Sequence, residues 1–170
     1  MGYSNMSRAS QRILSFAATA ATLTTIAIWV CPEGHADNSR FNNGVVANVY
    51  AVQKQAGCPQ GVKNNPKLRV AAQWHAQDVL KNRTLDADMG WDGSTVAQRA
   101  QNAGYRGSVA ETVAINPALA MSGIELINSW YYRPESYGVM SDCTNVDIGV
   151  WSENSLDRTV VVAVYGKGEA

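Results

Sequence analysis

Two histidines and three cysteines are the chain's whole stock of soft metal-ligating side chains. A zinc site needs three or four His, Cys or carboxylate ligands, so a histidine-rich metal centre has almost nothing to be built from. There is no surplus of charge of either sign, with 14 Lys and Arg set against 14 Asp and Glu. A balanced chain lacks the basic face that holds nucleic acid or an anionic membrane surface, so neither is expected as a partner. Charge is also sparse, at 16% of residues, while 46% are apolar. That composition excludes a disordered chain, and 170 residues suit one domain. No G-x-S-x-G nucleophile elbow occurs, so a serine hydrolase of that type has no anchor.

What is there begins with an address. Arg8 and Arg12 precede an uncharged run from Ile13 to Val30, and Gly34-His35-Ala36 offers small residues where a signal peptidase cuts. Residues 1–36 are therefore expected to be a secretory signal peptide, and the mature chain to be extracellular without a stable membrane span. The alternatives are an uncleaved membrane anchor and a lipoprotein attached through Cys31, which the bulky Val30 before it disfavours. Cleavage after Ala36 removes His35 and Cys31 and leaves His75, Cys58 and Cys143. An even cysteine count in an oxidising compartment predicts a Cys58–Cys143 disulfide, with two buried free thiols as the alternative. Closing a loop of about 85 residues is worth roughly 4–5 kcal/mol in the chain-entropy picture.

Residues 37–43 are polar and read as a flexible N-terminal arm before a single domain over 44–170. Val45, Val49 and Val52 predict an amphipathic helix that stops near Gly57. Asn65 and Pro66 form a helix start, and Leu68, Ala71, Ala72, His75, Ala76 and Val79 continue it to about Asn82. Thr95 and Gln98 make a capping box for a short helix ending at Gly104. Val109 to Ile115 reads as extended, and Pro117 as opening a helix that Pro134 ends. Val146–Ser152 and Thr159–Tyr165 read as a hairpin, the second strand apolar enough to be buried on both faces. Helices followed by a terminal hairpin imply helices packed on a small, mainly antiparallel sheet, in class α+β or a layered α/β/α.

Five ordered segments resemble the CAP superfamily of SCP-like extracellular domains. They are Leu68 to Asp78 for the family's second helix; Asp92-Gly93-Ser94-Thr95 with Arg99 and Ala103-Gly104-Tyr105; Ala110 to Ala114 for its "GENIA" segment; Trp130 with Pro134; and Ile148-Gly149-Val150. The resemblance runs from about Val45 to Tyr165 and implies a three-layer α/β/α sandwich, secretion and disulfides. Members with an intact cleft carry two His and two Glu around it, sometimes with a divalent metal. Here only Glu111 matches. Asp88 stands for the first His, Ser136 for the bacterial second His, and Arg133 for the other Glu. The tetrad is degenerate, and neither a metal nor another cofactor is expected. Asp86, Asp88 and Asp92 faintly suggest a calcium loop but lack its closing Glu.

The candidate cavity residues are Glu111, Asp88, Trp91, His75, Trp130, Tyr132 and Ser136. Glu111 lies among Val109, Ala110, Val113 and Ala114, where a carboxylate must find strong donors or become harder to ionise. It is the one candidate catalytic base; the bland reading is a structural acceptor. His75 sits on an apolar helical stripe with Asp78 one turn on, and reads as a half-buried core histidine. Trp91 or Tyr132 is placed to line a groove for an apolar or glycan-like ligand, and Trp130 to pack inside. The expected function is a secreted, non-catalytic binding module for a small apolar molecule of lipid or sterol type, or for an extracellular partner protein. The alternatives are a hydrolase or protease using Glu111 with Asp88 or Ser136, and a structural or host-facing protein without a ligand.

Overall fold

The computed structural model describes residues 38–85, 89–117 and 121–169. The expected signal peptide, Asp37, and the carboxylates of Asp86 and Asp88 lie outside the described residues. Nine elements follow in order: α1 (Ser39–Gln55), β1 (Lys63–Asn64), α2 (Pro66–Lys81), α3 (Val96–Asn102), β2 (Val109–Asn116), α4 (Gly123–Tyr131), α5 (Pro134–Ser141), β3 (Asp147–Ser155) and β4 (Arg158–Gly166).

The strands form one mixed sheet in the order β1-β3-β4-β2. Its three long strands are antiparallel, and the two-residue β1 runs parallel to β3. The apolar run in β4 explains the layering. Val161, Ala163 and Tyr165 point into one core, shared with α1, α4 and α5. Val160, Val162 and Val164 point into a second core, shared with α2 and α3. Alternate residues of a strand face opposite sides, so a strand covered on both sides has no polar positions to spare. The result is the expected α/β/α sandwich.

Local rules set the helix ends. The Asn65 side chain accepts the Lys67 and Leu68 N–H groups, and Pro66 opens α2. The capping box of Thr95 and Gln98 forms, and Ser122 with Glu125 makes a second one for α4. Gly149 lies under the start of α2, where a Cβ would collide with the Leu68–Arg69 backbone. Cys58 and Cys143 form a disulfide with their Cα atoms 5.1 Å apart.

Four expectations are corrected. The flexible arm over 37–43 is helical from Ser39 on, because Phe41 packs on the core and the buried Asn42 accepts the Ser152 hydroxyl at 2.8 Å. The helix expected from Pro117 begins at Gly123, where Ser122 supplies the cap. Pro134 opens α5 rather than only closing the preceding helix, since a ring without an N–H fits a first helical turn. The hairpin turn is narrower than Asn154–Asp157: Ser155 pairs with Arg158, leaving Leu156 and Asp157 as the loop.

Candidate functional site

Glu111 is the node of the site. It lies on β2, at the edge of the sheet, on the face turned towards α2 and α3. Its neighbour Thr112 points the other way, to the buried Tyr165 hydroxyl 3.1 Å away. The Glu111 side chain is only 8% exposed, so its charge must be met by protein. Arg99 on α3 meets it: Nη2 donates to Oε1 at 2.7 Å, and the guanidinium is itself 3% exposed. Nη1 of the same group donates to the Ser94 carbonyl at 2.5 Å. One arginine thus ties the loop before α3 to the edge strand of the sheet.

His75 stands behind this pair on α2, fully buried, with Nδ1 3.9 Å from Glu111 Oε2. That is beyond hydrogen-bond reach, and neither ring nitrogen has a hydrogen-bond partner among the described residues. Burial and the nearby Arg99 charge depress the imidazole to about 4, so it is neutral at pH 7 and the contact is not an ion pair. Asp78, one turn on, does not pair with it; its Oδ2 accepts the Trp91 backbone N–H at 3.3 Å.

The His75 shift has a measurable consequence. The unfolded chain takes up a proton near pH 6.5 and the folded chain only near 4, so this contribution is intact above 6.5 and is lost as pH falls towards 4. Urea unfolding at pH 7.5 and pH 4.5 is expected to differ by about 2–3 kcal/mol from this group. A His75→Gln variant should flatten the profile in that window. An equal slope in the variant would contradict the assignment. The carboxylates of Asp142 and Asp157, held low mainly by hydrogen bonds from Thr144 and Arg83, act at lower pH.

In front of Glu111 lies a cavity of about 430 Å³. Glu111, Thr112 and Val113 of β2 form one wall; Arg133 and, from α5, Pro134, Glu135, Ser136 and Val139 form the other. Glu111 and Ser136 are thereby brought to one cavity, with Arg133 beside them. The other candidates are elsewhere. Trp130 is fully buried beside the opposite core and donates from Nε1 to the Val113 carbonyl at 3.3 Å. Tyr132 is largely exposed, edge-on to Tyr131 with ring centroids 5.6 Å apart. Trp91 is 69% exposed on the loop before α3. Asp88 lies outside the described residues.

The residue whose role sequence reasoning missed is Arg99. It was legible only as a motif letter, yet its position was a signal. It falls on the buried stripe of α3, three residues after Val96 and four before Ala103, where an arginine needs a buried anion.

The sequence matches no family model and no curated protein. Solved structures do match. An outer surface protein of Borrelia burgdorferi superposes with a TM-score of 0.68 at 16% identity, covering 78% of this chain and 96% of that one. An extracellular protein of Bacillus anthracis containing an SCP domain gives 0.61 at 13% identity, covering 76% of this chain and 42% of that one. The fold is that of the SCP/CAP domains. A cysteine-rich secretory protein of Staphylococcus aureus matches with a TM-score of 0.51 at 14% identity, over 72% of this chain and 38% of its own.

The CAP fold raises the question of a divalent cation, and the donor set does not fit one. Of the three tetrad positions described, one holds an arginine and one a serine, while the remaining carboxylate already binds a guanidinium. Among the described residues no group of three or more His, Cys, Asp or Glu side chains could hold a metal ion.

Proposed function

We propose that residues 1–36 are a secretory signal peptide and that the CAP-type domain works outside the cell as a non-catalytic binding module. Extracellular or outer-surface placement of the structurally similar proteins supports this, as does the disulfide, which persists in oxidising compartments. The observation that carries the reading is the Arg99–Glu111 pair beside a neutral His75. A general base must accept a proton from its substrate. A carboxylate held by a buried guanidinium is stabilised as the anion and is a correspondingly weak base. The ligand proposed for the cavity is a small molecule with an apolar body, set against Val113, Pro134 and Val139, and a polar end near Arg133 and Ser136. A partner protein presenting one such side chain would satisfy the same walls.

Native mass spectrometry of the exported protein tests this. The expected species is cleaved after Ala36, lacks two hydrogens for the disulfide and retains a small molecule that organic solvent strips. Glu111→Gln keeps an oxygen that can accept from Arg99, so it should retain the same adduct. Loss of the adduct from Glu111→Gln, with wild-type export and disulfide intact, would contradict a binding role that does not need the carboxylate's charge. The hydrolase reading has one observation in its favour, the presence of Ser136 and Glu111 on the same cavity. It requires turnover that both Ser136→Ala and Glu111→Gln abolish.

A further inference from the structure

We infer that the outward side of α4, with the groove between α4 and α1, is a self-association surface, on which two copies of this chain pack face to face about a two-fold axis. This surface is separate from the cavity at β2 and independent of the function proposed above. The inner side of α4 is taken up by folding: Leu126 and Trp130 are fully buried in the core shared with α1 and α5. Its outer side is apolar as well. Ile124, in the first turn, is 72% exposed, and Tyr131, in the last, is 37% exposed. The half-buried Ile127 stands between them, so the three follow at i, i+3 and i+7 in one row along the helix. That spacing is the one a helix presents to an apolar groove.

The groove lies on the same face. Between α1 and α4 is a hollow of about 380 Å³. Ala51, Val52 and Ile127 supply its apolar lining, and Asn48, Gln55 and Asn128 its amides, with Ile124 also against it. None of these residues is charged. One face thus carries both a projecting isoleucine and an uncharged hollow that admits an aliphatic side chain. A two-fold contact requires this, because the same patch must serve as knob and as hole. A free aliphatic molecule in the hollow would leave Tyr131, which does not line it, in water; a second copy covers both.

Charge sets the direction. Asn48 lies beside Gly123, so the hollow starts with the N-terminus of α4 and ends where α1 ends, at Gln55. Glu125, the one charged residue of α4, stands at the first end, its carboxylate met by the Ser122 backbone N–H. Lys54 stands at the other end, its ammonium donating to the carbonyls of Cys58 and Pro59 and lying 5.5 Å from the Tyr50 ring centroid. When two copies of α4 run antiparallel, each Glu125 is carried to the end of the hollow where the other copy's Lys54 lies, and the helix dipoles oppose as well. Of the other charges nearby, Arg40 lies two turns before Asn48, in a neighbouring cavity, and the two-fold axis sends the two copies of it to opposite ends. Arg133 and Glu135 line the cavity at β2.

Sedimentation velocity of the full exported chain, over a wide range of concentration, tests this. The expected result is a monomer–dimer equilibrium. Ile124→Asp places a charge at an exposed first-turn position, where an acid suits the helix, so circular dichroism should match wild type while the dimer weakens about a hundredfold. Leu156→Asp, also at an exposed position but on the β3–β4 turn, should leave the dimer unchanged. Glu111→Gln should dimerise as wild type, which separates this surface from the cavity. Glu125→Lys and Lys54→Glu should each weaken the dimer about tenfold by setting like charges opposite one another. An equal mixture of those two variants should form a heterodimer as tight as wild type, and mixing cannot repair a folding defect in either chain. A chain monomeric at every concentration, a dimer indifferent to Ile124→Asp, or a mixture that associates no better than its components would each overturn the inference.

Discussion

Replacing both Cys58 and Cys143 with alanine is expected to cost roughly 4–5 kcal/mol of stability in the chain-entropy picture, because it frees a loop of about 85 residues in the unfolded chain. For a domain of this size that corresponds to a melting temperature lower by on the order of 15 °C. The native fold should nonetheless persist. Cys58 follows α1 and Cys143 precedes β3, and the same two segments are held by a second device, the buried Gln53. Its Nε2 donates to the carbonyls of Asp142 and Asn145 at 3.2 and 2.9 Å, and its Oε1 accepts the Val62 N–H at 2.8 Å. These bonds keep β1 beside β3 without the covalent link. Thermal unfolding followed by circular dichroism, with and without reductant, checks both parts. A wild-type melting temperature indifferent to reductant would refute the first. A double variant without native secondary structure at 20 °C would refute the second.

The Arg99→Met variant carries the other large effect. Removing one partner of a buried ion pair leaves an uncompensated charge, and such losses run to about 3–5 kcal/mol. Adding Glu111→Gln to Arg99→Met should recover part of the loss, because two neutral side chains then share the space. A double-mutant cycle by urea unfolding measures that coupling. Simple additivity of the two substitutions would show that the pair is not what holds Arg99 and Glu111 in place. The variant should also loosen the loop carrying Trp91, since the bond from Arg99 to the Ser94 carbonyl goes with the guanidinium. Faster amide exchange at Gly93 and Ser94 would report it.

Much of this fold was legible because local chemistry and global packing agree. The run from Val160 to Tyr165 has no polar alternation, and a strand sandwiched between two helical layers needs none. Asn65 with Pro66, and Thr95 with Gln98, carry their own capping geometry wherever they occur. The failures came where a residue has two local meanings. A proline stops one helix or starts the next, and at Pro134 the choice depends on Arg133 leaving helical geometry after α4. The polar stretch before Val45 resembles an arm until Ser152 supplies a partner for Asn42 from a strand 110 residues away. Strand β1 has only two residues and pairs in parallel with a distant strand, so it leaves no periodic signature. The site divides in the same way. Glu111 was visible as a lone carboxylate among apolar neighbours. Its partner Arg99 was not, because their pairing across α3 and β2 is set by tertiary packing rather than by spacing.

The central claim is that this cleft binds rather than reacts, and turnover is its most direct measurement. The exported wild-type protein should be assayed on mixed peptide and ester substrate libraries, with Glu111→Gln and Ser136→Ala run at equal concentration. The predicted result is one background rate common to all three proteins. A wild-type rate that scales with protein concentration, exceeds background, and disappears in Glu111→Gln would contradict it.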